Sequence, residues 1–293
     1  MKMNYLLLAV SIFLAIANSV ILHHFGSRGL KNFGDVLWFN AATSLVWVLV
    51  VLCAGGGFAW PSDGTWFWGC SYGAVTAAFL LSKMQALARG DISTTVMIGC
   101  CSLVLPTILG SVFWHETIAP VQWVGLALLL TALMMSMDRR ETRKPRPGWK
   151  GYCALFFVVS GLSGLIFKAH QNSPGKMETA EFLLIASIVS STLLGLTAVL
   201  INRAQGAPRP KLPRVALKYA LICGTCSCVY SWLNVRLTGA LPSIVFFPVF
   251  NGSVILGSSL AGCFCFRERL TRRQVIGLVL GLFSLVLIGK VLG

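Results

Sequence analysis

Long apolar stretches separated by short polar segments dominate the sequence. They occur at about residues 4–22, 36–54, 65–88, 92–114, 119–137, 150–170, 180–201, 214–236, 241–265 and 274–291, with segments rich in Gly, Pro or charge between them. A transmembrane helix needs about 20 consecutive, mostly apolar residues. The pattern therefore predicts an all-α integral membrane protein with ten transmembrane helices, numbered here as spans 1 to 10.

The composition leaves no room for a soluble domain. Of 293 residues, 56% are hydrophobic and 11% are charged, against about 25% charged in an average soluble domain. The sequence contains no H-E-x-x-H and no phosphate-binding loop, and its one G-x-S-x-G match, at residues 69–73, lies inside the apolar run of span 3, so we expect no enzyme activity. The ten cysteines lie in or at the ends of apolar runs, which is typical of small reduced hydrophobic residues. We therefore expect no metal site and no cofactor.

The positions of the basic residues predict the orientation. With ten spans both termini lie on one side of the membrane, and that side carries 5 of the 24 Lys and Arg residues. These five are Lys2, Lys168, Lys176, Arg236 and Lys290. Because cytoplasmic loops retain Lys and Arg, we expect a multi-pass protein of the plasma (inner) membrane with both termini outside. The same argument explains the net charge of +15 without nucleic-acid binding.

Two segments of the chain repeat. HETIAPVQWVGLAL follows span 4 and RERLTRRQVIGLVL follows span 9, so that three residues recur: Glu116, Gln122 and Gly125 as Glu268, Gln274 and Gly277. Spans 3 and 8 also align, with Gln85 on Asn234. The repeat predicts two five-helix halves, residues 1–140 and 147–293. Since five is odd, the halves are inverted relative to each other, as in many secondary transporters.

Three features of the sequence are the repeated E-x5-Q-x2-G, the ALARGDIS segment after span 3 and Lys168 near the end of span 6. In these features the chain resembles the drug/metabolite transporter superfamily, in particular its ten-helix EamA-like members. The resemblance covers the whole chain. It departs where members usually have Gly before the repeated Glu, since His115 and Arg267 stand there. The resemblance implies a central cavity lined by spans 1, 3, 4, 6, 8 and 9, open to one side at a time, and export of a small metabolite. Members often have cytoplasmic termini, whereas the charge count favours external ones.

Prolines interrupt the two equivalent spans 4 and 9. Pro106 and Pro248 lack an N–H and crowd the carbonyl four residues earlier. In lipid such breaks are tolerated where protein or a water-lined cavity satisfies the freed groups, and paired interruptions are typical of transporter sites. Asn251, close to the middle of span 9, is interpreted as a substrate contact or as an interhelical hydrogen-bond partner.

Other polar side chains are candidates for the substrate site. They are Lys83 and Gln85 in span 3, Tyr230, Trp232 and Asn234 in span 8, Asn18 in span 1 and Lys168 in span 6. Lys83 and Lys168 are also near enough to helix ends to extend to the membrane surface. For Glu116 and Glu268, and for the capping-box residues around Gln274, we expect a structural role at helix starts, with gating as the alternative.

No Asp or Glu lies near the middle of a span, whereas proton-coupled export of organic cations requires a buried carboxylate. The sequence therefore favours zwitterionic, neutral or anionic cargo. We expect a secondary-type transporter, in the direction of export, for a small metabolite such as an amino acid. The alternatives are a flippase for a lipid-linked sugar or lipid headgroup, with basic residues lining its cavity, and a membrane receptor or assembly partner. A monomer suffices, although the small residues Gly277 and Gly281 permit a homodimer.

Overall fold

The computed structural model describes residues 2–29, 33–54, 60–90, 92–136, 145–204, 214–266 and 271–289. These residues form eleven helices and no β-strand: α1 (Lys2–Gly29), α2 (Phe33–Cys53), α3 (Asp63–Arg89), α4 (Ile92–Cys101), α5 (Val104–Phe113), α6 (Pro120–Ser136), α7 (Trp149–Gln171), α8 (Thr179–Ala204), α9 (Arg214–Ala240), α10 (Ser243–Phe266) and α11 (Arg272–Gly289). Helices α4 and α5 are two parts of the predicted span 4, so the described chain has ten helical segments. Glu268 lies outside the described residues.

Seven of these segments are long and apolar enough to cross a membrane: α1, α2, α4 with α5, α7, α8, α10 and α11. Helix α6 is apolar but has 17 residues. Large apolar side chains such as Phe13 and Phe264 are exposed, whereas polar side chains such as Ser82 and Asn234 are buried. This distribution is the one expected when lipid surrounds the protein. The all-α class is confirmed, and the chain is a multi-pass membrane protein.

The two halves of the chain pack mainly against each other. We name α1 to α6 the first half and α7 to α11 the second half. Helix α1 packs against α9, α2 against α8, α3 against α7, α5 against α10 and α6 against α11. Further contacts join α3 to α8, α2 to α9 and α1 to α10. Every one of these contacts joins one half to the other, so the interface between the halves runs through the whole bundle.

Helices α6 and α11 make reciprocal contacts. Gln122 Oε1 accepts a hydrogen bond from the backbone N–H three residues earlier (3.0 Å), and its Nε2 donates to Ile288 O (3.5 Å). Gln274 Oε1 likewise accepts from the N–H three residues earlier (2.8 Å), and its Nε2 donates to Ser136 O (3.3 Å). Each glutamine caps its own helix start and reaches the last turn of the other helix, so the two helices are antiparallel.

Glycines bring this helix pair close together. A Cβ atom at Gly125 would meet Ile288, and a Cβ atom at Gly277 would meet the carbonyl of Ala132. Gly281 lies against Leu256 of α10. Since Gly277 and Gly281 both pack inside the chain, this small-residue motif serves intramolecular packing, and no partner is shown.

The two prolines have different effects on their helices. Span 4 is interrupted at Ser102 and Leu103, and Pro106 lies in the first turn of α5. The carbonyl of Ser102, which Pro106 deprives of its usual donor, accepts from Leu105 N at 3.0 Å instead. Helix α10 continues through Pro248. There the proline removes a single hydrogen bond in the second turn, so the expected interruption of span 9 does not occur.

Candidate functional site

Contacts between helix ends define the two ends of the bundle. The end that holds the start of α1 and the loops around Glu116, Glu178 and Leu241 is named the terminal end. The opposite end holds the C-terminus of α3 and the N-terminus of α7, where Arg146 N donates to Arg89 O. We name it the basic end, because basic residues such as Lys150 and Arg203 lie there. Each part of the candidate site lies nearer to one of these two ends.

A cavity of about 640 Å³ lies between the two halves. Helices α1 to α5 and α7 to α10 all contribute to its lining, which includes the six spans implied by the family resemblance together with α2 and one residue of α8. Towards the basic end the lining reaches Leu87, in the last turn of α3, and Thr95, in the first turn of α4. Towards the terminal end it reaches Phe246, in the first turn of α10. The cavity has the volume of a small-molecule site.

Aromatic rings, amides and hydroxyls line this cavity. Ten of the lining residues are Phe, Tyr or Trp. Lys83 is the one Lys, Arg, His, Asp or Glu residue in the described lining. The surface is therefore apolar and aromatic, with several hydrogen-bonding groups and one positive charge.

Six of the predicted site residues lie in the cavity lining: Asn18, Lys83, Pro106, Tyr230, Asn234 and Asn251. Asn234 Oδ1 accepts a hydrogen bond from Ser11 Oγ at 2.6 Å, which joins α1 to α9. Asn251 Nδ2 donates to Phe247 O at 2.9 Å within α10. Asn18 is 7% exposed and its Oδ1 has no hydrogen-bond partner. The cavity thus contains an unsatisfied buried acceptor.

Four predicted residues do not line the cavity. Gln85 accepts a hydrogen bond from Arg89 on the same helix, and Trp232 stacks under the guanidinium of Arg236, 4.0 Å from its ring centroid. Lys168 is held in an ion pair near the terminal end, and Pro248 faces elsewhere on α10. These groups are therefore occupied by contacts within the protein or lie away from the cavity.

The cavity wall formed by α2 was missed in the sequence analysis. Trp47 Nε1 donates to Ser227 Oγ of α9 at 2.7 Å. The lining residues of α2 include Asn40, Thr43, Ser44 and Trp47. Their spacing places them on one face of a helix, which is the sequence signal that predicts a polar face on span 2.

An ion pair between the halves lies at the terminal end. Lys168 Nζ lies 2.6 Å from Glu116 Oε1, with side-chain exposures of 6% and 17%, and it also donates to Leu241 O at 3.1 Å. Glu116 Oε2 accepts from Ser243 N at 2.6 Å, so the carboxylate caps the positive start of α10. Lys168 therefore does not extend to the membrane surface.

A second carboxylate at the terminal end caps a helix of the opposite half. Glu178 Oε2 accepts hydrogen bonds from Ser62 N and Ser62 Oγ, both at 2.9 Å, at the start of α3. Hydrogen bonds from Thr65 and Ser62 hold the pKa of Glu178 below its ordinary 4.5. Glu116 of the first half and Glu178 of the second half thus make equivalent caps across the interface.

The backbone before Glu116 is in an unusual conformation. His115 has a φ angle of 52°, in the left-handed region that favours glycine. This is the position where members of the resembled family usually have Gly. The conformation turns the chain at the end of α5, where Glu116 N donates to Ser111 O at 2.9 Å.

No family model and no curated protein matches the chain. Solved structures do match it, among them one whose title is "Crystal structure of protein". That protein is 12% identical, with a TM-score of 0.71, and the match covers 97% of this chain and 98% of the other. At this identity the likeness shows the fold alone. The chain is thus a helical, multi-pass membrane protein with the fold of a solved structure.

Proposed function

We propose that the protein is a secondary-type transporter that exports a small metabolite, such as an amino acid, by alternating access. The observation that carries the proposal is the cavity between the halves. Its lining comes from both halves, which the Lys168–Glu116 ion pair joins at the terminal end and the Trp149–Thr95 hydrogen bond joins at the basic end. A cavity at the interface between two such halves is where secondary transporters hold their substrate. The direction of transport rests on the family resemblance alone.

We infer that the ten segments are two inverted five-helix repeats. In such a repeat α1 corresponds to α7, α2 to α8 and α3 to α9. The helix contacts support this inference, because the α1–α9 contact then corresponds to the α7–α3 contact and the α3–α8 contact to the α9–α2 contact, and all four are present. The reciprocal bonds of Gln122 and Gln274 support it at residue level. Rocking of one repeat against the other is the motion that such an arrangement permits.

The orientation follows from the positive charge at the basic end. The segments predicted to lie on the side opposite the termini contain 19 of the 24 Lys and Arg residues. The basic end therefore faces the cytoplasm and the termini lie outside. A flippase is less well supported, because only one of its two candidate lysines, Lys83, lines the cavity.

The test is solute counterflow in proteoliposomes that contain the full-length protein. Vesicles loaded with unlabelled amino acids and organic acids are diluted into labelled solute, and transient accumulation of label is expected. Asn251→Ala should reduce it severalfold, whereas Asn4→Ala, outside the cavity lining, should not. Absence of exchange for every solute, together with movement of a labelled lipid headgroup between leaflets, would contradict the proposal.

A further inference from the structure

Lys83 places a basic group inside the cavity, without a partner on the described protein. It lies on α3, six residues before the last residue Arg89, which is about 9 Å along the helix. It makes no hydrogen bond or ion pair with another described residue. Its nearest ring contact is Phe79, whose centroid lies 5.8 Å from Nζ. An ionisable group at membrane depth is costly, and such groups mark substrate pathways.

The lysine side chain does not extend to the membrane surface. Phe79 lies one turn nearer the middle of α3 than Lys83, so an ammonium beside this ring stays along the cavity wall. Lys168 provides the contrast, since a carboxylate and a carbonyl oxygen satisfy its ammonium. Of the two lysines, only Lys83 presents an unpaired basic group to the cavity.

The rest of the lining restricts the ligand that could balance this charge. No Asp or Glu is among the described lining residues, so an ammonium group on a ligand finds no counterion. One lysine supplies one positive charge, which matches a single carboxylate better than a phosphate with two charges. The ten aromatic residues of the lining suit a flat apolar body. Asn18 Oδ1, buried and unpaired, can accept a hydrogen bond from a hydroxyl or N–H substituent on that body.

We propose that Lys83 is an anion-binding subsite and that the cargo is a monocarboxylate with a flat apolar body, such as an aryl-substituted organic acid. The inference rests on the proposed transport function and changes its substrate class from an amino acid to a carboxylate without an ammonium group. The carboxylate forms a charge-assisted hydrogen bond with Lys83 Nζ, and the aromatic rings contact the apolar body. A free amino acid binds more weakly than the corresponding acid that lacks the amine.

The test measures binding of four matched probes to the purified full-length protein in lipid nanodiscs. The probes are phenylpropionate, phenylpropanamide, phenylpropylamine and phenylalanine, which share one body and differ in charge. We expect phenylpropionate to bind with a Kd at least about tenfold lower than that of the amide or of phenylalanine, and the amine not to bind. Equal binding of the acid and the amide, tighter binding of phenylalanine, or no binding of any probe would overturn the inference.

Three variants connect the preference to this residue. Lys83→Gln should bring the Kd ratio of amide to acid to about one, with the Kd of the amide itself unchanged as evidence of an intact cavity. Lys83→Arg should retain the preference. Lys176→Gln, the same change at an exposed lysine outside the cavity, should bind like the wild type. If the Kd ratio of amide to acid in Lys83→Gln stays as high as in the wild type, Lys83 is not the anion-binding subsite.

The counterflow measurement separates this inference from the proposed function. Exchange of solutes without a preference for carboxylates overturns the subsite and leaves the transporter in place. The expected binding preference without exchange of phenylpropionate overturns transport, and with it the description of the carboxylate as cargo.

Discussion

Lys168 and Glu116 form a largely buried ion pair, Nζ to Oε1 2.6 Å, between the two halves of the bundle. The same two side chains bind backbone groups on either side of the turn between α9 and α10: Lys168 donates to Leu241 O, and Glu116 accepts from Ser243 N. One pair of charges therefore holds four helix ends together. In the proposed transport cycle, opening the terminal end would require this pair to separate.

Glu116→Gln should destabilise the protein more than Lys168→Met. The first change leaves a buried ammonium without a counterion, at a cost of about 3 kcal/mol. The second leaves a carboxylate that the start of α10 still stabilises. Unfolding in mixed micelles measures both, with Lys176→Met as control. The double variant should be more stable than Glu116→Gln alone, and equal stabilities would show that the pair is not coupled.

The stability of the terminal end should depend on the Glu178 carboxylate at acidic pH. Its pKa in the folded protein lies below the ordinary 4.5, so its contribution is present above pH 4.5 and is lost as the pH falls through the folded value. Unfolding temperatures between neutral pH and about pH 3 measure this loss. Glu178→Gln should reduce the decline, whereas Glu181→Gln, which does not contact Ser62, should retain it. The same acid dependence in both variants would contradict the prediction.

His115→Gly should stabilise the protein. The residue has a φ angle of 52°, and removing the side chain relieves a left-handed conformation worth about 1 kcal/mol. His115→Ala keeps a Cβ atom and should give no such gain. Denaturant unfolding of the two variants side by side is the measurement. If alanine stabilises as much as glycine, the imidazole and not the backbone is the source of the effect.

Gly125→Ala and Gly277→Ala should destabilise the α6–α11 pair by similar amounts. Each added methyl group meets atoms of the facing helix, and overpacking of this kind costs about 2 kcal/mol. Gly195→Ala on α8 is the control, because nothing lies within 4 Å of the added Cβ atom. Unfolding in micelles should separate the first two variants from the third. A strong effect at only one of the two interface glycines would argue against the inverted repeat.

The sequence predicted the helical class because apolar runs of membrane length are a strong signal. Gln122 and Gln274 were singled out as residues of the repeated motif, and Gln274 also as part of a capping box at a helix start. The structure adds their contacts with the opposite helix ends. The effect of Pro248 was not predictable in the same way. Whether a proline interrupts a helix depends on how the surrounding structure satisfies the freed carbonyl, which local sequence does not state.

The candidate site was less predictable than the fold. Asn18, Lys83 and Asn251 were singled out as polar residues within apolar spans, and they line one cavity. Lys168 had the same sequence signal but pairs with Glu116, 52 positions away along the chain. Which of two intramembrane lysines meets a counterion is set by tertiary packing. The polar face of α2 is predictable only from the helical spacing of its moderately polar residues.

The packing of α6 against α11 has a consequence for biosynthesis. Synthesis proceeds from the N-terminus, so α6 is inserted long before α11, its partner at the far end of the chain, leaves the ribosome. Until then lipid or the insertion machinery must cover the α6 face that carries Gly125. Because transmembrane helices are stable in lipid before they associate, insertion can be complete while the bundle is still open. The α6–α11 pair therefore assembles last, and a ribosome that stops before α11 leaves an inserted α6 without this partner for quality control to remove.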